Sequence, residues 1–342
     1  MQVLYRKYRP KTFAEIEGQE HIVRTMQGAL LSGNVGHAYL MAGPRGTGKT
    51  TMARLLAKAL NCTSRKTSTE PCNNCSSCIE INEGRSLDLI EIDAASNRGI
   101  DEIRNLKDSA RVAATSGNYK VFLIDEVHML TPPAFNALLK ILEEPPTHVV
   151  FILATTESHK VPETILSRVQ KFDFKKINPE QVIEKLKREA KSEKVAIDGQ
   201  ALAMLASASG GSLRDAESAL SKIIAYAGDK INAADVAEIL GIVPAQVHEK
   251  LIQLISQKKP HEAIVEIANL YESGVDLDNF VKQFVRHLRS SLIVSISGPQ
   301  QGQVSPELFI KTINAFVKAS SELKFSPVPQ LPLELAILEV TK

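Results

Sequence analysis

The chain has 342 residues and a formal net charge of +2. That length supports two or three domains, each with its own core, and excludes a mini-protein that needs covalent staples. A charge so near zero excludes a chain-wide positive field, so any contact with nucleic acid must come from a local patch or from an assembly.

The first ten residues, Met1 to Pro10, are basic, but no apolar stretch follows them, and no apolar run anywhere approaches the ~20 residues that span a bilayer. The sequence therefore reads as cytoplasmic, with no membrane partner. Tyr5-Arg-Lys-Tyr-Arg-Pro10 fits either an exposed basic arm or the lid of a base-binding pocket, and pattern alone favours the solvated arm. A helix follows from about 18 to 31, with Ile22, Met26, Ala29 and Leu30 on one face.

His37 to Ala42 is a short apolar strand, and Met52, Leu55, Leu56 and Ala59 mark one face of a helix. Between them lies Gly43-Pro44-Arg45-Gly46-Thr47-Gly48-Lys49-Thr50, followed by Thr51. This spacing at a strand-to-helix turn binds phosphate through backbone N–H groups at a helix N-terminus; Lys49 reaches the terminal phosphates and Thr50 ligates Mg²⁺. Gly43 to Thr51 are thus the expected nucleotide-binding segment.

The four cysteines, Cys62, Cys72, Cys75 and Cys78, all fall in an insertion at about 61–85. Without a secretory signal, this spacing fits a tetrahedral thiolate zinc site better than a disulfide frame. Four thiolates close the coordination shell, so the zinc is expected to be structural.

Leu87 to Asp93 reads as a second strand, with a helix from about Asp101. Lys120 to Glu126 is a third strand, apolar until it ends in two carboxylates. Downstream of a phosphate loop, Asp125 is placed to hold Mg²⁺ and Glu126 to orient and deprotonate an attacking water. Thr131 caps a helix whose first turn holds Pro132 and Pro133. His148 to Thr156 is a fourth strand, whose tip offers Thr155 either as a γ-phosphate sensor or simply as a good β-former, and Lys171 to Phe174 is a fifth. Alternating strands and helices with polar tips at the strand ends make an α/β fold with a parallel sheet and the ligand in the crevice beyond it.

From Asn178 the pattern turns wholly helical: about 179–193, about 199–208, and Ser212 to Ala227. Arg214 lies in the first turn of the third helix, against the helix dipole, which fits either a bound phosphate or a solvated side chain. Gly241 to Pro244 reads as a linker. Helices then run from Ala245 to Ser256, Pro260 to Glu272, Leu277 to Ile296 and Pro306 to Lys324, with a last apolar segment from Leu331 to Val340. From 245 onward ten Lys or Arg face ten Asp or Glu, a balance that favours packing against protein over binding DNA.

Together these residues resemble the AAA+ ATPases, and more narrowly the gamma/tau subunits of the bacterial DNA polymerase III clamp loader. The resemblance covers essentially the whole chain. It rests on Tyr5 to Pro10, His37 to Leu40, Gly43 to Thr50, the cysteine cluster, Asp93 to Ser96, Leu123 to Leu130, Phe135 to Lys140, Leu142-Glu-Glu-Pro-Pro146, Leu153 to Thr156 and Gly211 to Ala216. The phosphate loop is generic; the cysteine spacing combined with Glu-Glu-Pro-Pro and Ser-Leu-Arg-Asp is specific.

The resemblance implies a five-stranded AAA+ domain over 1–177, a small helical lid over 178–242, and an all-helical collar over 243–342 through which subunits form a pentameric ring. It implies that Arg168 is the arginine finger of a neighbouring subunit's ATP site, although Val169 stands where the family usually has cysteine. Such a finger contributes ~10³ to 10⁵ in rate. It further implies that Thr155 is the first sensor and Arg214 the second, and it moves Tyr8, Arg9 and Pro10 from a solvated arm to the neighbourhood of the adenine. Asn97 and Arg98 are the candidates for DNA contact. The implied activity is ATP-driven opening of a sliding clamp and its loading on primed-template DNA, with other loader subunits, including ones linked to single-strand-binding protein, as partners. Longer members carry a C-terminal extension that binds helicase and polymerase.

Two other readings explain fewer residues. Against a branch-migration helicase stand the cysteine cluster and the all-helical C-terminal region. Against a nucleotide-binding structural subunit that hydrolyses nothing stand intact Lys49, Thr50, Asp125 and Glu126.

Overall fold

The computed structural model describes residues 3–65, 68–297 and 304–342. Met1 and Gln2 of the basic N-terminus and Lys66 and Thr67 of the cysteine insertion lie outside the described residues. The chain divides into two compact units, Met1–Ile231 and Asn232–Lys342.

The first unit begins with α1 (Leu4–Lys7), α2 (Glu20–Ser32), β1 (Ala38–Ala42), α3 (Lys49–Asn61), α4 (Ser76–Glu83), β2 (Leu89–Asp93) and α5 (Ile100–Ala110). It continues through β3 (Lys120–Asp125), α6 (Pro132–Glu143), β4 (Val149–Thr155), α7 (Glu163–Leu166) and β5 (Gln170–Asp173). Then come α8 (Pro179–Ser192), β6 (Ala196–Ile197), α9 (Gly199–Ser209), α10 (Leu213–Ala227) and β7 (Lys230–Ile231).

The five long strands form one parallel sheet in the order β2-β3-β4-β1-β5. Side chains alternate across a strand, so β1 sends Tyr39 and Met41 to the face packed by Met52, Leu55 and Leu56 of α3. Leu40 faces the opposite layer with Phe122, Phe135, Leu138 and Phe151. Every residue of β4 is buried, which is why that strand reads as a continuous apolar run. Pairing brings Ala42 beside Thr155 and Asp93 beside Asp125, so the polar strand tips stand at one edge.

Several features of the first unit depart from the sequence reading. The segment after Asn178 is not wholly helical: β6 and β7 pair in parallel, at two residues each too short to show a period. Thr131 starts α6 through its carbonyl, which accepts from Phe135 N–H, but its hydroxyl makes no cap hydrogen bond. Pro133 removes the N2 donor that a cap hydroxyl could take, leaving only that of Ala134. The cysteine insertion also forms a helix, α4, whose Ile81 is buried against the α3 layer.

The second unit is α11 (Ala233–Leu240), α12 (Ala245–Ser256), α13 (Pro260–Glu272), α14 (Leu277–Ser297), α15 (Pro306–Leu323) and α16 (Leu331–Thr341). α11 escaped the sequence reading, although Asn232 and Asp235 form a capping box at its start. Phe280, Phe284 and Phe316 form the aromatic centre of this unit, with Phe284 edge-on to Phe316 at 4.8 Å. Among the described residues no helix is long and apolar enough to cross a membrane.

His248 of α12 is buried against Phe280, Phe284 and His287, and its Nε2 has no hydrogen-bond partner. Burial, reinforced by His287, pushes its pKa down to about 4. The unfolded chain takes up this proton more readily than the folded one, so stability is intact above the unfolded value of 6.5 and falls as pH drops towards 4. Urea unfolding of the chain should show an acid loss of about 3 kcal/mol from this group, and His248→Phe should remove that component.

Candidate functional site

The phosphate loop joins β1 to α3, and its glycines meet specific demands. Gly43, Gly46 and Gly48 have φ of 148°, 74° and 101°, a region that side chains with a Cβ rarely adopt. A Cβ on Gly43 would stand 2.4 Å from the Phe174 carbonyl, and one on Gly46 1.9 Å from Ser212 Oγ. The loop is thus pressed between β5 and α10. Leu213 N–H donates to the Gly46 carbonyl at 3.1 Å, and Ser212 Oγ caps α10 by accepting from Asp215 N–H.

Lys49 is 6% exposed, and its ammonium donates to the carbonyls of Gly43 and Pro44 at 2.7 and 2.8 Å. Burial lowers its pKa, opposed by Glu126 and Asp125. One residue on, Thr50 Oγ1 donates to Asp125 Oδ2 at 3.0 Å, so the hydroxyl and carboxylate expected to share a metal already adjoin. The other oxygen of Asp125 accepts from the N–H of Glu126.

Glu126 sits just past β3 with φ of 47°, a conformation uncommon outside glycine. Its Oε2 accepts from Thr156 N–H at 3.2 Å and Thr156 Oγ1 at 3.0 Å, with His128 Nδ1 at 3.4 Å. Thr155 is fully buried: its hydroxyl lies 2.9 Å from His128 Nδ1 and accepts from Glu157 N–H. Thr156 and His128 are contacts that the sequence reading missed. The only signal for Thr156 was its place one residue past the strand tip.

The cleft over the loop is lined by Arg45 to Thr51, Asp125 and Glu126. Tyr5, Arg9, Pro10, Ile16, Lys185, Arg214 and Glu217 line it as well. The N-terminal arm is docked, not free in solvent, which corrects the reading from pattern alone, although Arg6 and Lys7 stay exposed. Leu4 is 2% exposed, its N–H donates to Ser221 Oγ of α10, and Lys7 pairs with Glu193 at 2.6 Å. An apolar residue at position 4 lets the charged residues fold down around it. Tyr8 turns its hydroxyl to Glu193, whereas Arg9 and Pro10 reach the cleft. The Arg214 guanidinium stacks 5.0 Å over the Tyr5 ring.

Arg168 does not line this cleft. It lies with Ser167 and Val169 in a separate shallow surface, its guanidinium bonded to Glu143 and to the Thr164 carbonyl, each at 2.8 Å. Asn97 and Arg98 lie in the loop from β2 to α5, where Asn97 donates to the Asp93 carbonyl and Arg98 is exposed.

In the insertion, the four cysteine sulfurs lie within 4.8 Å of one another and none is in a disulfide. Cys72 Sγ accepts from the N–H groups of Asn74 and Cys75, and Cys62 Sγ from that of Cys72. The Asn74 N–H, helped by that of Cys75, holds the Cys72 thiol down at about 6. Converging sulfurs with N–H groups aimed at them fit a thiolate-bound metal. Lys58 of α3, 1% exposed, ties the insertion down by donating to Asn73 Oδ1, Asn82 Oδ1 and the Lys11 carbonyl.

Two family models match the chain: "DNA polymerase III, delta subunit" over residues 18–178 and "DNA polymerase III clamp loader subunit, ATPase lid domain" over residues 181–229. The DNA polymerase III subunit tau of Bacillus subtilis is 39% identical over 99% of this chain and 63% of its own length. That of Escherichia coli is 42% identical over 86% of this chain and 46% of its own. The subunit gamma of Buchnera aphidicola is 36% identical over 99% of this chain and 98% of its own. The chain thus spans about half to two thirds of these tau subunits and nearly all of that gamma subunit. Among solved structures, the RuvB Holliday junction branch migration motor of Thermotoga maritima aligns with a TM-score of 0.52 over 83% of this chain and 91% of that one, at 19% identity. That likeness concerns the fold alone.

Gly46→Ala tests the join between loop and α10. The added methyl meets Ser212 and forces a φ it disfavours, so stability should drop by about 1–3 kcal/mol, with amide exchange at Leu213 accelerating in step.

Proposed function

The chain belongs to the DNA polymerase III gamma/tau subunit family, and from that premise we propose that it is an ATP-hydrolysing motor subunit of a bacterial clamp loader, one that opens a sliding clamp and places it on primed-template DNA. The observation that carries this reading is the meeting of Thr50 with Asp125 at 3.0 Å, beside Lys49 and next to Glu126.

In the proposed mechanism the loop amides and Lys49 hold the phosphates of ATP. Thr50 and Asp125 would hold Mg²⁺, which when bound offsets charge on the β- and γ-phosphates. Glu126, fixed by Thr156, orients the attacking water and accepts its proton. Arg214 acts as the second sensor from the lid. Thr155 is the first sensor, and because its hydroxyl is engaged by His128 and Glu157 it acts through that cluster. Arg168, outside its own chain's cleft, serves as the finger for a neighbour's site. Residues 178–242 are the lid and 243–342 the collar of a ring with other loader subunits, with Arg9 and Pro10 beside the adenine and Asn97 and Arg98 towards DNA. The cysteine cluster holds one structural zinc.

Reconstituted with loader partners, the chain should hydrolyse ATP in a manner stimulated jointly by sliding clamp and primed template. Hydrolysis indifferent to the clamp would overturn the loader reading. Lys49→Ala should abolish ATP binding, whereas Glu126→Gln should keep binding and lose roughly 10²-fold or more in turnover. Arg168→Ala should cripple hydrolysis only in the assembled ring. Elemental analysis of the purified chain should give about one zinc per chain, and chelation should lower its melting temperature.

A further inference from the structure

His128, which has no role of its own in the proposed mechanism, lies in the short helical turn Val127–Met129 just past β3. Its side chain is 8% exposed. One ring atom, Nδ1, stands 2.9 Å from Thr155 Oγ1 and 3.4 Å from Glu126 Oε2. The same Oε2 accepts from the N–H and from the hydroxyl of Thr156. Three groups therefore converge on one oxygen of Glu126, while Oε1 accepts no hydrogen bond among the described residues. Glu126 itself lines the nucleotide cleft.

The contact with Glu126 decides where this ring carries its proton. A bare Nδ1 would turn a lone pair on a carboxylate, acceptor against acceptor, whereas Nδ1–H donates to it. The partner of a ring nitrogen selects the tautomer, so the carboxylate favours the proton on Nδ1. Thr155 is compatible with that choice: its hydroxyl oxygen accepts from Glu157 N–H and keeps a second lone pair for Nδ1–H. The two contacts thus share one N–H. At 3.4 Å the contact with Glu126 is long for a hydrogen bond, as catalytic contacts often are before bound substrate tightens them.

We infer that His128 is a positioning residue for ATP hydrolysis. Its Nδ1–H, steadied by Thr155, joins Thr156 in pinning Oε2 of Glu126, so that Oε1 is the atom left to receive a proton. In the step it serves, the water oxygen bonds to the γ-phosphorus and the bond to the β–γ bridging oxygen breaks. ADP leaves with that electron pair, and the water proton passes to Oε1. Glu126 acting as the base, as proposed above, is the premise. Thr155 then reaches that base through a single imidazole.

The test compares wild type with His128→Leu and His128→Asn, each as the full chain reconstituted with loader partners. Leucine fills much of the space but has no donor, whereas the asparagine amide carries an N–H close to the place of Nδ1. His128→Leu should lower kcat about tenfold or more with the Kd for ATP unchanged, and His128→Asn should recover most of that loss. ¹⁵N NMR of the histidine-labelled full chain should find the proton of His128 on Nδ1, a preference that Glu126→Ala weakens. A folded leucine variant with unchanged kcat, an asparagine variant no faster than the leucine one, or a bare Nδ1 in wild type overturns the inference. Should the leucine variant not fold, an asparagine variant that has lost tenfold or more in kcat, or a bare Nδ1, overturns it equally. If wild type hydrolyses no ATP, the reading of Glu126 as the base is wrong; if it does and neither substitution alters kcat, only the role of His128 fails.

Discussion

A single main-chain hydrogen bond, from Leu213 N–H to the Gly46 carbonyl, fixes the lid helix α10 to the phosphate loop. Much of the site depends on it. Because Gly46 has no Cβ, Ser212 can sit against the loop and cap α10 at the same point, and Arg214 and Glu217 then follow at one-turn spacing along the cleft wall. Loop and lid helix are thereby joined through backbone and not only through flexible side chains.

The arm also contributes to the lining of the cleft. Lys7 of the arm pairs with Glu193, Lys185 of α8 donates to the Tyr8 carbonyl, and buried Leu4 supplies the apolar anchor. Exposed pairs of this kind contribute little each. What they provide jointly is a defined path for the chain from Tyr5 to Pro10, so that Arg9 and Pro10 arrive at the cleft.

The sheet and the polar residues gathered at its edge were legible because they are set by local rules. An apolar run that breaks at Gly43 and resumes at Met52 leaves few alternatives, and a strand that ends in Asp125 and Glu126 points both at the same edge. The helices from Ala245 to Ser256 and from Pro260 to Glu272 also fall where periodicity puts them. What escaped was decided by tertiary partners. Thr155 and Thr156 are indistinguishable in sequence, and only the packing of His128 and the turn after β4 sends one hydroxyl inward and the other to Glu126. The short strands β6 and β7 are too brief to leave a pattern.

Lys58 carries a constraint that joins separate parts of the chain. Its buried ammonium is balanced by acceptors from the cysteine loop, from α4 and from Lys11 just past the arm, and leaving such a charge without partners costs several kcal/mol. Asn73 and Asn82 of the insertion are therefore interdependent with residue 58 of α3: the chemistry of one side can change only in step with the other.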